Sequence, residues 1–168
     1  MYQEYINHAL KAASYHENQA FLFAHPESDK YGETVAHLRA YYWELWSVWD
    51  YILQSVNSQT SLIKKPHEVD LKFLTKLKKE MPEYPHHKDL EDAFNEPLAT
   101  RIRTLRNYAH KWQIDPYMLD IDDDDKVNVI SLLINPQEDK LMSQTNVDRN
   151  DLWFMSELVK KFVAKGII

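Results

Sequence analysis

Between Glu33 and Val56, seven apolar residues recur at alternating steps of three and four: Val35, Leu38, Tyr42, Leu45, Trp49, Ile52 and Val56. That spacing sets them along one side of an α-helix. A stripe this long demands a long helix with partners along its whole length, so an all-α packing follows. Tyr41, Trp43 and Trp46 widen the stripe, and more than one face should be covered. Ala40 to Leu53 is the most apolar run, yet it carries Glu44, Ser47 and Asp50. It therefore reads as a buried or interface helix and not a membrane span.

The rest of the chain supplies the partners. Only two glycines occur in 168 residues, which favours long regular elements over tight turns. A first helix is expected from residue 2 to about 24, where Ile6, Ala9, Leu10, Ala13 and Ala20 keep helical spacing and Pro26 stops continuation. A short helix from about Asp70 to Met81 carries Leu71, Leu74 and Leu77 on one side. Pro82, Pro85 and the His86-His87 pair read as an exposed loop. The next helix starts near Asp89 or Leu90, with Pro97 either kinking it or marking its true first turn. Pro116 ends it after about Gln113. The β-branched run Lys126 to Ile134 and the stretch Lys140 to Thr145, joined by a turn at Asn135-Pro136, suggest two strands. A last helix from about Arg149 to Ala164 has Asp148 or Asn150 as its cap and Gly166 at its stop. The expected fold is thus one domain over residues 1–168, mainly all-α. It is a bundle of about five helices with a small β-hairpin before the C-terminal helix.

Composition narrows the chemistry. The absence of cysteine excludes disulfides and thiolate metal sites and suits a reducing compartment. The N-terminal stretch Met1 to Tyr5 lacks the basic and apolar segments of a signal peptide, so a cytoplasmic location is expected, away from membranes. The net charge of −6 makes general nucleic-acid affinity poor, because such affinity comes from neutralising phosphates. Any RNA role must rest on a local basic patch.

One patch qualifies, Arg101 to Trp112. Arg103, Arg106, Asn107 and His110 are related by steps of three, four and seven and share a helical face. Leu98, Ile102, Leu105 and Trp112 fall on another stripe, with core-facing spacing. The polar face carries two guanidiniums, an amide and an imidazole. Guanidiniums grip phosphate oxygens bidentately, and an imidazole moves protons near neutral pH. The plain alternative is a solvated face whose arginines pair with Glu91, Asp92 or Glu96.

The run Leu105-Arg106-Asn107-Tyr108-Ala109-His110 resembles the signature of HEPN-domain proteins, helical bundles of prokaryotic conflict and RNA-processing systems. Their motif is an arginine, often followed by a polar residue, then four to six residues and a histidine on a late helix. Six residues separate Arg103 from His110, whereas Arg106-Asn107 supplies the Arg-polar pair but lies only three residues short of His110. Either arginine can thus be the acting one. The resemblance implies a homodimer whose two motifs face each other and cleave single-stranded RNA without a metal or other cofactor. Arg103 and Arg106 would hold phosphate, Asn107 would orient the scissile group and His110 would transfer protons. Such proteins act as toxins held by an antitoxin or partner protein, or as RNA-processing factors. The competing expectation is a noncatalytic interaction or dimerisation module.

Other motifs carry less. Counted from Asp120, the run Asp122 to Asp125 puts Asp125 where a calcium loop needs glycine and Ser131 where it needs glutamate, so no metal site is expected there. No zinc-protease spacing links the remaining histidines. The aromatic cluster Tyr41, Tyr42, Trp43, Trp46 and Trp49 reads as core or dimer interface before it reads as a base-stacking platform.

Overall fold

The long apolar stripe forms α2, Tyr31–Thr60, a helix of 30 residues. The computed structural model describes residues 1–23, 31–65, 68–70, 72–111, 113–121, 127–135, 140–147 and 150–168, with Tyr31 and residues from 108 to 147 described by backbone alone. Around α2 stand α1 (Tyr2–Phe23), α3 (Lys72–Glu80), α4 (His87–Asn95), α5 (Pro97–Lys111) and α6 (Asn150–Ala164). The protein is mainly helical, with six helices among the described residues where about five were expected. None of them is long and apolar enough to cross a membrane.

α1 and α2 run antiparallel. Tyr5 stacks on Tyr51 at one end, with ring centroids 5.5 Å apart, and His16 meets His37 toward the other. Ile6, Ala9, Ala13 and Ala20 are the buried apolar positions of α1, as their spacing requires, with Glu17 buried among them. The small alanines let the helix backbones approach closely. On α2, Leu38, Leu45, Ile52, Leu53 and Val56 are fully buried, together with Tyr41 and Tyr42. Trp49 stacks on Phe94 of α4 at 5.7 Å and leans on Phe162 of α6 at 6.3 Å. Each such large apolar side chain contributes about 1.5–3 kcal/mol on burial. The aromatic surplus that suggested a second covered face is therefore largely consumed inside one chain.

α6 closes the bundle with Met155, Leu158, Val159 and Phe162. Beyond it Gly166 takes φ +68, the left-handed geometry that ends a helix at low steric cost. Ile167 is then buried, and its carbonyl accepts a hydrogen bond from Gln59 Nε2 at 2.8 Å.

Three expectations need correction. The stretch from Asp89 onward is two helices, and the first-turn reading of Pro97 holds: Glu96 breaks the path with ψ 139 and Pro97 opens α5. Proline belongs in a first turn, where its missing N–H costs nothing. His86 and His87 do not form an exposed loop. Both are half-buried against Tyr84, and His87 Nε2 donates to the Met81 carbonyl at 2.6 Å. Before α6, the two expected strands are joined by a third. The backbone there runs as β1 (Gln113–Ile121), β2 (Val127–Asn135) and β3 (Lys140–Val147), an antiparallel sheet in the order β1-β2-β3. Pro116 reads as a stop signal, but a proline is tolerated on an edge strand. β1 is such an edge, and its register shifts between Pro116 and Met118. The four-aspartate run lies outside the described residues.

Candidate functional site

α5 separates its faces as the periodicity requires. Ile102 and Leu105 are buried, Leu98 is half-buried, Arg103 and Arg106 are half-buried and Asn107 is exposed. Trp112 lies outside the described residues. The backbone at His110 continues α5, and its imidazole is not among the described side chains.

The two arginines rest on aromatic rings. The Arg106 guanidinium carbon sits 4.6 Å from the Trp43 ring centroid, and that of Arg103 lies 4.8 Å from the Phe94 ring. Each contact is worth about 0.5–2 kcal/mol, depending on how far water is excluded. It also fixes where the charge stands. Arg106 Nη1 donates to Asn107 Oδ1 at 3.0 Å, so the Arg-Asn pair is ordered as a unit. Arg106 Nε is buried with no hydrogen-bond acceptor among the described residues.

Neither arginine reaches a carboxylate at ion-pair distance among the described residues. Two of the carboxylates suspected of neutralising them are engaged elsewhere: Glu91 pairs with Lys78 at 2.7 Å and Asp92 with Lys88 at 2.6 Å. Glu96 is exposed at the junction of α4 and α5. Asp50 on α2 lies in electrostatic reach of Arg106. Burial pushes the Asp50 carboxyl up to about 6, against the opposing pull of Arg106 and a hydrogen bond from Trp46. A carboxyl so placed changes charge within reach of physiological pH.

Nothing significant matches this chain among protein-family models, curated proteins or solved structures. The chemistry must therefore be read from the residues themselves.

The structure brings together Arg106 and Asn107, and places Arg103 one turn away on the same side of α5. It adds three residues that the motif did not contain: Trp43, Phe94 and Asp50. A polar residue inside the most apolar run was visible at Asp50, seven residues beyond Trp43 and so on the same face of α2. Its proximity to Arg106 was not visible, because that depends on how α5 crosses α2.

Arg101, which opens the basic stretch, takes no part in this face. Its Nη2 lies 3.4 Å from Asp151 Oδ2 on α6, and that carboxylate is fully buried. Tyr42 Oη donates to the same oxygen at 3.4 Å. Arg101 is a bundle fastener.

Proposed function

We propose that the chain is a HEPN-like, metal-independent endoribonuclease acting as a homodimer in the cytoplasm, as a toxin or RNA-processing factor. The observation that carries this reading is the pair Arg103 and Arg106. Both guanidiniums are held on rings, neither reaches a carboxylate at ion-pair distance among the described residues, and both stand on α5, the helix that carries His110. A bundle stabilised by charge pairing alone would have neutralised them. Held cations with no contact ion pair among the described residues suit a dianionic or developing phosphorane charge.

The reaction needs no external co-reactant. One His110 imidazole takes the proton of a ribose 2′-hydroxyl, whose oxygen attacks the adjacent phosphorus. The bond to the 5′-oxygen breaks, and a second, protonated His110 supplies that oxygen's proton. The products are a 2′,3′-cyclic phosphate and a 5′-hydroxyl. One imidazole cannot hold both protonation states at once, so the two copies come from two protomers. Arg103 and Arg106 stabilise the phosphate, and Asn107 orients it. The negative net charge means binding is weak and salt-sensitive.

Incubation with unstructured single-stranded RNA in EDTA tests the reading. Cleavage by the parent and its loss in His110→Ala support it. Cleavage that disappears with EDTA, or persists in His110→Ala, overturns it. An inert parent leaves the second reading, a noncatalytic interaction module bound to an antitoxin or another partner protein. Trp153 on α6, 63% exposed, favours that alternative as an apolar contact point.

A further inference from the structure

Away from α5, two imidazoles meet across the α1–α2 interface. His16 Nδ1 and His37 Nδ1 are 2.9 Å apart, and the ring centroids lie 5.2 Å apart at 39°. Both side chains are half-buried. Tyr15 presents its edge to each ring, at 5.3 Å and 6.1 Å, and Phe23 packs on His37 at 5.5 Å. The rings are thus held facing each other by aromatic walls, on two helices whose packing fixes their separation.

We propose that His16 and His37 form a two-imidazole binding site for a first-row divalent transition cation, bridging α1 and α2. The separation of the two nitrogens is the main argument. Imidazole nitrogens bind zinc at about 2.0–2.1 Å, so two of them in adjacent positions stand about 2.9 Å apart at a right angle and about 3.4 Å apart in a tetrahedron. The rings already have the first spacing; to bind, each must also turn so that its Nδ1 lone pair leaves the N···N line and points at a shared cation. Without a cation, one Nδ1 must carry a hydrogen and donate it to the other. A cation takes both Nδ1 lone pairs, and the donating ring moves its hydrogen from Nδ1 to Nε2, so both ligands stay neutral imidazoles.

Burial, and then the neighbouring His37, hold the His16 imidazole below its usual range. Only the neutral ring is a ligand. No third histidine, cysteine or carboxylate joins the pair among the described residues. The remaining coordination positions therefore go to water, and binding is exchangeable. Imidazole donors select copper, nickel and zinc ions and discriminate against magnesium and calcium, which prefer oxygen.

Titration of the chelator-treated full chain with Cu2+, Ni2+ or Zn2+ by calorimetry provides the test. The expected result is one binding event per chain that is absent with Mg2+ and lost in both His16→Gln and His37→Gln, but kept in His8→Gln, which alters an exposed histidine of α1. Paramagnetic resonance of the Cu2+ form should show coupling to two nitrogens. The same cation should raise the melting temperature of the parent and of His8→Gln only, since a ligand bound to the folded state alone stabilises it. Circular dichroism of the two site variants confirms that they fold. If either of them, folded, keeps the parent's binding event, or if the parent has none, the site does not exist.

Discussion

Arg101 Nη2 stands 3.4 Å from Asp151 Oδ2, and the Asp151 side chain has no contact with solvent. The Arg101 side chain is a quarter exposed, so the pair reaches from the bundle surface to its interior. Tyr42 joins them from α2, and burial with the Asp151 charge beside it pushes the Tyr42 phenol well above its ordinary range. Three helices are thereby tied at one carboxylate.

The cost of breaking that tie should be large. Arg101→Met strips the cation from a buried carboxylate, and the expected loss is about 3–5 kcal/mol of unfolding free energy. Arg101→Met combined with Asp151→Leu should lose less than the sum of the two single changes, since the charge that needs compensation is gone. Urea denaturation at pH 7 measures both. A single-variant loss under about 1 kcal/mol would mean that water already solvates Asp151 in place of Arg101.

Asp50 should leave a signature in pH dependence. Its carboxyl is raised from 3.8 to about 6 in the folded chain. Between those values the folded state keeps a proton that the unfolded state releases. Stability from this group is therefore full below about pH 4 and falls as pH rises toward 6. Asp50→Asn keeps an acceptor for Trp46 and removes the charge. The variant should match the parent near pH 4 and exceed it above pH 6, with the gap opening between. Denaturation midpoints across pH 4 to 8 follow the gap, and a pH-independent difference would assign Asp50 an ordinary solvated carboxyl.

The helices were legible where apolar periodicity was strong. Val35 to Val56 and Leu152 to Phe162 give their faces directly, because one side of each is buried against several neighbours. Boundaries governed by proline were hard to place: Pro97 could kink or begin a helix, and Pro116, read as a helix stop, lies on a strand edge. Local sequence does not choose between these, since the choice depends on what packs opposite. The candidate site divides in the same way. The Arg103, Arg106 and Asn107 face follows from residue spacing alone. Trp43, Phe94 and Asp50 enter only through the crossing of α5 over α2 and α4. The pairing of Arg101 with Asp151, fifty residues along the chain, carries no local signal at all.

Assembly is open to direct measurement. A two-histidine mechanism requires two chains, whereas most aromatic residues of α2 are already buried in one. Any dimer must therefore use what is left outside, including Trp43 at 47% exposed. Sedimentation at micromolar concentration is expected to show a dimer. A single 20.0 kDa species throughout would remove the two-histidine mechanism.

The last expectation separates the two arginines. Arg103 has the motif spacing to His110, and Arg106 has the asparagine beside it. Both stand on rings at similar distances, so stacking does not distinguish them. Exposed or half-exposed positions tolerate truncation, and Arg103→Ala and Arg106→Ala should each stay folded within about 0.5–1 kcal/mol of the parent. Their effects on RNA cleavage should differ. Loss of the arginine that contacts the transition state should slow turnover by on the order of a hundredfold or more. Loss of the other should weaken RNA binding and steepen neither the salt dependence nor the pH profile. Arg→Lys at the acting position should recover little, because lysine keeps the charge but not the planar fork that meets two phosphate oxygens. Single-turnover cleavage in EDTA at saturating RNA, set beside binding measured on a 2′-deoxy analogue, resolves the two roles. Equal and modest losses at both positions, with cleavage intact, would make the arginine pair a binding surface and move phosphate stabilisation elsewhere on the chain.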